Sequence, residues 1–176
     1  TPHMNLAVAS DPTSSAQIRM KRKVYGAMCP DMAYYADHIE LSDDENDYGT
    51  QIGIGGVIGS KFTWPKPNPN VKDDGYLLTP EKEALLKKWV GIYNDKKLST
   101  GEYMNLYDIR FDVPETHVIS KDGAMYYAFY AEEWNGEKIE LRGLEAGKTY
   151  TVTEYTADEV KSYTVEGSNP YITPTF

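Results

Sequence analysis

The feature that most restricts the fold is a change of period near residue 100. Beyond Gly101, short strand-forming runs follow one another: "MYYAFYAEEW", "KIELRGL", "KTYTVTEYT" and "SYTVEG", separated by "NGE", "EAGK" and an acidic "ADE". Such runs, bounded by turn residues, read as antiparallel strands of a β-sandwich. Before that point, apolar runs alternate with helix-like segments, as parallel strands and their crossover helices do. The expectation is therefore α/β plus all-β, with one domain over 1–100 and a β-sandwich domain over 101–176.

In the first part, "NLAVAS" is a short apolar run suited to a parallel strand covered on both faces. Ser10 or Asp11 can cap a following helix with Pro12 in its first turn, predicted to run to about Lys23. Its basic cluster, Arg19 to Lys23, reads as a solvated face. "KVYGAMCP" is a second strand candidate and "YYADHIELSDD" a third, ending in acids. "IGIGGVIGSKFTW" is punctuated by Gly53, Gly55, Gly56 and Gly59, and the proline-rich loop "WPKPNPNVKDDG" follows. A helix over 79–98 is strongly signalled: Thr79 caps it, Pro80 takes its first position and Glu81 suits its positive end. Leu85, Trp89 and Tyr93, with Leu86 and Val90, form an apolar stripe predicted to face the core.

Two or three parallel strands cannot close a barrel, which takes about 250 residues. The first part is therefore expected to be the last portion of a (β/α)8 barrel whose remainder lies upstream. At the other end, "YITPTF" stops where a sandwich would be expected to continue.

A formal net charge of -9 argues against nucleic acid and anionic membrane surfaces, which select clustered Lys and Arg. Cys29 is the one cysteine, so neither an internal disulfide nor a polythiolate zinc site can form. No run approaches the roughly 20 apolar residues of a membrane span, no signal peptide is visible, and the chain reads as soluble. Fifteen Tyr and three Trp stand against four Phe, a bias that suits stacking on sugars and also suits strands.

Barrel active sites gather at the C-terminal ends of strands. Asp11 falls at such an end, and so do His38, Glu40, Asp43 and Asp44. Carboxylates on neighbouring strand ends suit glycoside hydrolysis, which needs a proton donor and a second acid at the anomeric carbon. Asp11 can equally be a helix N-cap. "SDDENDYG" fails as a calcium loop, because its sixth and twelfth places, counted from Asp43, hold Tyr48 and Ile54. The glycines from Gly53 fail as a dinucleotide fingerprint, because Ile58 stands in the last place, and read as a packing turn. No cofactor and no metal are expected.

The stretch "ASDPTSSAQIRMKRKVYGAMCPDMAYYADHIE" resembles the acid/base segment of bacterial α-galactosidases, in the melibiase clan and glycoside hydrolase family thirty-six. The matching features are Ser10-Asp11, the Gln17 to Lys23 helix, Tyr25-Gly26, Pro30 and Asp37-His38. "LYDIRFDVPETHVISKDGAMYYAFYA" and "IELRGLEAGKTYTVTEY" resemble that family's C-terminal β-sandwich. The resemblance implies a retaining two-carboxylate hydrolase of α-galactosides, with Asp11 as general acid/base and His38, Asp37 and Glu40 lining the sugar pocket. Ala7 and Pro12 stand where the family often has arginine and a second acid. The nucleophile is expected upstream, so this chain is expected to be a C-terminal fragment inactive alone. It also implies a bacterial protein, cytoplasmic, periplasmic or secreted, and the open barrel is expected to promote self-association. A rival reading is a noncatalytic carbohydrate-binding or adhesion module, since Leu144, Gly147, Tyr150 and Val152 keep the spacing of fibronectin-like sandwiches, in which the tyrosine packs a corner.

Overall fold

Ser14 begins the first helix. Its hydroxyl accepts a hydrogen bond from the Gln17 backbone N–H at 3.4 Å, and the Gln17 side chain accepts one from the Ser14 N–H at 3.3 Å. This reciprocal box fixes α1 over Ser15–Met28. The computed structural model describes residues 6–9, 14–36, 47–58, 79–108, 111–157 and 159–176. They form a mixed α/β structure with antiparallel sheets, divided into two units. The first comprises Thr1–Asn105 and His117–Ala128, the second Leu106–Thr116 and Phe129–Phe176.

In the first unit, β1 (Leu6–Ala9) runs parallel to β2 (Ala33–Ala36), in the register Leu6↔Ala33 to Ala9↔Ala36, with α1 as the crossover between them. Val57 adds an isolated parallel bridge to Tyr35. Two sequence expectations are corrected. "KVYGAMCP" is no strand: residues 23–28 complete α1, because the cap at Ser14 sets a helical frame that Gly26 then lets pack tightly. A Cβ on Gly26 would lie 2.2 Å from Cδ1 of Tyr103, so only glycine admits that ring. Nor does the basic cluster face water throughout, since Arg22 and Lys23 are 2% and 3% exposed.

Helix α2 (Asp47–Gly53) leads into the glycine turn, where Gly55 takes a left-handed φ of 66°. A Cβ there would lie 2.6 Å from Cδ1 of Ile119, so backbone and packing both require glycine. Helix α3 (Pro80–Lys96) has the anticipated Thr79 cap, whose Oγ1 accepts from the Lys82 N–H at 3.3 Å. Its stripe is half-buried, and Trp89 and Tyr93 pack on the core of Ile52, Leu98, Tyr103 and Ile119. The strands β3 (Glu102–Met104), β4 (Glu115–Lys121) and β5 (Ala124–Tyr130) form a three-stranded sheet in that order. Asp122 and Gly123, both at positive φ, make the two-residue turn between β4 and β5.

In the second unit, β6 (Ile139–Glu140) pairs antiparallel with β9 (Tyr171–Ile172), and β7 (Thr149–Glu154) with β8 (Lys161–Glu166). Ile139, Leu141, Val165, Ile172 and Tyr107 are buried in it, as is Thr116. The Glu145 N–H donates to the Tyr150 hydroxyl at 2.9 Å, so the tyrosine ties its strand to the turn before it. These sheets are consistent with a β-sandwich.

Candidate functional site

The parallel pair sets the geometry. Ala9 and Ala36 are cross-strand partners at the C-terminal ends of β1 and β2, so the chain leaves the pair twice at adjacent positions on one edge. Asp11 follows Ala9 by two residues, and Asp37 and His38 follow Ala36 by one and two. Asp11, Asp37, His38 and Glu40 lie outside the described residues, as do Asp43 and Asp44. One described feature bears on Asp11 directly. The capping of α1 belongs to Ser14, three residues further on, so Asp11 is not the cap of this helix.

The first unit carries a buried polar cluster that the sequence did not single out. Arg22, on α1, donates from Nε to the Ile54 carbonyl at 3.1 Å and from a terminal nitrogen to the Met32 carbonyl at 3.3 Å. Its guanidinium lies 4.6 Å from the ring centre of Tyr103 and 5.9 Å from that of Tyr34. The Tyr34 hydroxyl donates to the Ile18 carbonyl at 3.2 Å, and the Tyr103 hydroxyl lies 2.8 Å from Nδ1 of His117. Burial lowers the Arg22 pKa from its ordinary value, against the opposing pull of the two phenols. Burial, reinforced by Tyr25, pushes the Tyr34 hydroxyl up to about 12.

Those groups are arranged to hold, not to react. Arg22 joins α1 to the carbonyls that precede β2 and follow α2, and so fixes the crossover whose strands end at Ala9 and Ala36. Two sequence signals carried this role: a glycine one turn after Arg22, and a histidine inside the strand-forming run "THVI". Among the described residues, no group of three or more His, Cys, Asp or Glu could hold a metal ion. No described helix is long and apolar enough to cross a membrane.

A second polar cluster lies wholly in the other unit. Arg142 grips Asp112 with both terminal nitrogens, at 3.0 and 2.8 Å, and reaches Glu140 through Nε at 3.2 Å. Its guanidinium lies 4.7 Å from the Tyr107 ring centre, and the Tyr107 hydroxyl accepts from the Arg142 N–H at 2.9 Å. Hydrogen bonds to Asp112 raise the Arg142 pKa, and burial pushes the Tyr107 hydroxyl up to about 12. This clasp fastens the Leu106–Thr116 segment to the end of β6.

No protein-family model matches the chain. It is 32% identical, over 179 aligned residues, to a protein of Flavonifractor plautii described as an A type blood alpha-D-galactosamine galactosaminidase. The alignment takes in 96% of this chain and 14% of that protein. The chain thus spans about one seventh of the relative's length.

Proposed function

We propose that this region is the C-terminal part of a retaining, galactosidase-like glycoside hydrolase acting on an α-linked galactose or galactosamine residue. The observation that carries the reading is the match of almost the whole chain to a galactosaminidase. The parallel β1–α1–β2 unit supports it, because it directs two acid-bearing segments from neighbouring strand ends, where barrel enzymes build their sites. In this reading the unit belongs to the last part of a (β/α)8 barrel, and the second unit is its C-terminal sandwich.

Asp11 is the general acid/base. It protonates the glycosidic oxygen as the sugar transfers to a carboxylate elsewhere in the full-length protein, then takes a proton from the water that releases the sugar. Retention places the two carboxyls about 5 to 5.5 Å apart. An anionic partner at that range raises the pKa of the acid and keeps it protonated for the first step. His38, Asp37 and Glu40 line the sugar pocket. Ser14 and Arg22 act at one remove, by fixing the helix that follows Asp11 and the strand that precedes Asp37.

The test compares Asp11→Ala with the parent in the full-length gene product, using α-galactoside and α-galactosaminide substrates with good and poor leaving groups. Loss confined to poor leaving groups is expected. Equal loss on both classes would remove the acid assignment.

A second reading, a noncatalytic carbohydrate-binding or adhesion module, has its own support in the Tyr150 corner bond and the antiparallel pairs of the second unit. Sugar binding by the 176-residue chain, with full-length turnover indifferent to Asp11→Ala, would favour it.

A further inference from the structure

The outer face of the β6–β9 pair is organised around one exposed aromatic ring. Buried Ile139 and Leu141 alternate with Lys138, Glu140 and Arg142, so these three charges share the outward side. Glu140 is the cross-strand partner of Tyr171, and partners in an antiparallel pair project from the same face. Tyr171 is therefore set among the charges, while its neighbour Ile172 turns inward. The tyrosine is 43% exposed, and Lys138 Nζ lies 5.9 Å from its ring centre, at the outer limit of a cation–π approach, so the ring is flanked and not covered.

The polar surround is fixed in place. Arg142 is gripped by both oxygens of Asp112 and lies against the Tyr107 ring, and its Nε holds Oε2 of Glu140 at 3.2 Å. Among the described residues the other Glu140 oxygen accepts no hydrogen bond, and Lys138 makes no ion pair. An ordered acceptor and an ammonium donor thus stand beside an exposed aromatic face.

These features select a class of ligand. Lys138 and Arg142 balance Glu140 and Asp112, so the patch has no net charge with which to draw a phosphate or a metal ion. A flat apolar ring with donor and acceptor at its edge suits a ligand of the same build, one apolar side rimmed by hydroxyls that both donate and accept. A pyranose has that build, with C–H bonds on one face and hydroxyls around the rim. Partners already fixed in place reduce the ordering cost that would otherwise cancel so small a contact.

We propose that the outer face of β6 and β9 is a sugar-binding platform, on which Tyr171 stacks against a neutral pyranose while Glu140 and Lys138 hydrogen-bond its hydroxyls. The choice of a sugar rests on reading this region as part of a carbohydrate-active protein, and does not depend on the chemistry assigned to Asp11. Binding and hydrolysis therefore fail separately.

The experiment follows the amide NMR spectrum of the 176-residue chain during titration with methyl α-galactopyranoside, with inorganic phosphate as the charged control. Saturable shifts confined to residues 138–142 and 171–173 are expected, with a Kd of about 1 to 10 mM, as a single small contact gives. Tyr171→Thr, which keeps a strand-forming residue on the outer face, should raise that Kd by about tenfold or more. Lys138→Ala, at an exposed position, should raise it by about threefold, and stands in if Tyr171→Thr does not fold. Tyr163→Thr, which removes a ring 42% exposed on β8 of the same unit, should leave the Kd unchanged. Absence of saturable shifts in the parent would overturn the proposal. Binding that survives Tyr171→Thr would overturn it by placing the sugar elsewhere, and equal loss with Tyr163→Thr would do so by showing unspecific stacking. The same shifts produced by phosphate would overturn it in favour of a charge site. Turnover by the Asp11→Ala full-length product reports on the hydrolytic reading alone and moves none of these outcomes.

Discussion

Tyr103 and His117 are joined by a 2.8 Å contact between hydroxyl and Nδ1, with both side chains buried on adjacent antiparallel strands. The register explains the meeting. Tyr103 pairs with Ile119, and His117 sits two residues along on the same face, within reach of a long aromatic side chain. Tyr103→Phe removes one buried partner and keeps the ring that stacks on Arg22. The expected loss is about 1 to 3 kcal/mol, measured as a fall in the urea midpoint at unchanged slope. A shift inside experimental error would mean that the contact contributes nothing to stability.

Ser14 and Asp11 can be separated by stability. Ser14→Ala removes the hydroxyl arm of the capping box, leaving the backbone N–H to Gln17, and should destabilise the first unit by about 1 kcal/mol. Asp11→Ala should stay within about 0.5 kcal/mol of the parent, because the cap is elsewhere. Parallel denaturation curves would decide, and the reverse ranking would return Asp11 to a structural role.

Alkaline titration should weaken both units. The Tyr34 and Tyr107 hydroxyls have folded pKa values of about 12, against an ordinary 10.0, mainly through burial. Below about pH 10 both states keep the proton and the full contribution is present. As the pH rises from about 10 to about 12 the unfolded phenols ionise first, so stability falls. Thermal midpoints measured across that range should drop, and Tyr34→Phe should reduce the slope. A flat profile would contradict the burial argument.

Gly55 tolerates no side chain. Its left-handed φ of 66° and the 2.6 Å approach of Ile119 Cδ1 act together, so Gly55→Ala should cost more than about 1 kcal/mol. Gly123, also at positive φ but with open space around it, should lose less on the same change. Paired unfolding curves test the ranking.

Arg142→Lys should fail as a conservative change. Lysine keeps the charge but cannot hold both oxygens of Asp112 while lying flat against Tyr107. The variant should unfold at lower urea than the parent, and Arg142→Met should fall further. Equal stability of Arg142→Lys and parent would show that the fork geometry is immaterial.

What the sequence revealed depended on how local each signal was. Thr79, Pro80 and Glu81 announce α3 within one turn, and the helix begins where they indicate. Four of the five strands that begin after residue 120, β5 to β8, were equally legible, since turn residues bound each of them, whereas the two-residue β9 was not. Val24 and Tyr25 favour strands by type and misled the reading of residues 23–30. Their state is decided by a cap ten residues earlier and by Tyr103, almost eighty residues later, seating on Gly26. Arg22 looked solvated for the same reason, because the carbonyls and rings that receive it come from distant parts of the chain. The acids proposed for catalysis were found by their position after strand-like runs. β1 and β2 supply that setting, and the acids themselves fall outside the described residues.

The caged arginine also makes the crossover a length standard. One residue inserted or deleted between Ser15 and Arg22 would turn the rest of α1 by about 100° and carry the guanidinium away from the Ile54 and Met32 carbonyls. Length changes between related genes should therefore be rare across that stretch. They should collect instead in connections such as the residues between β7 and β8, where none of the described residues is a buried charge that keeps count of the chain.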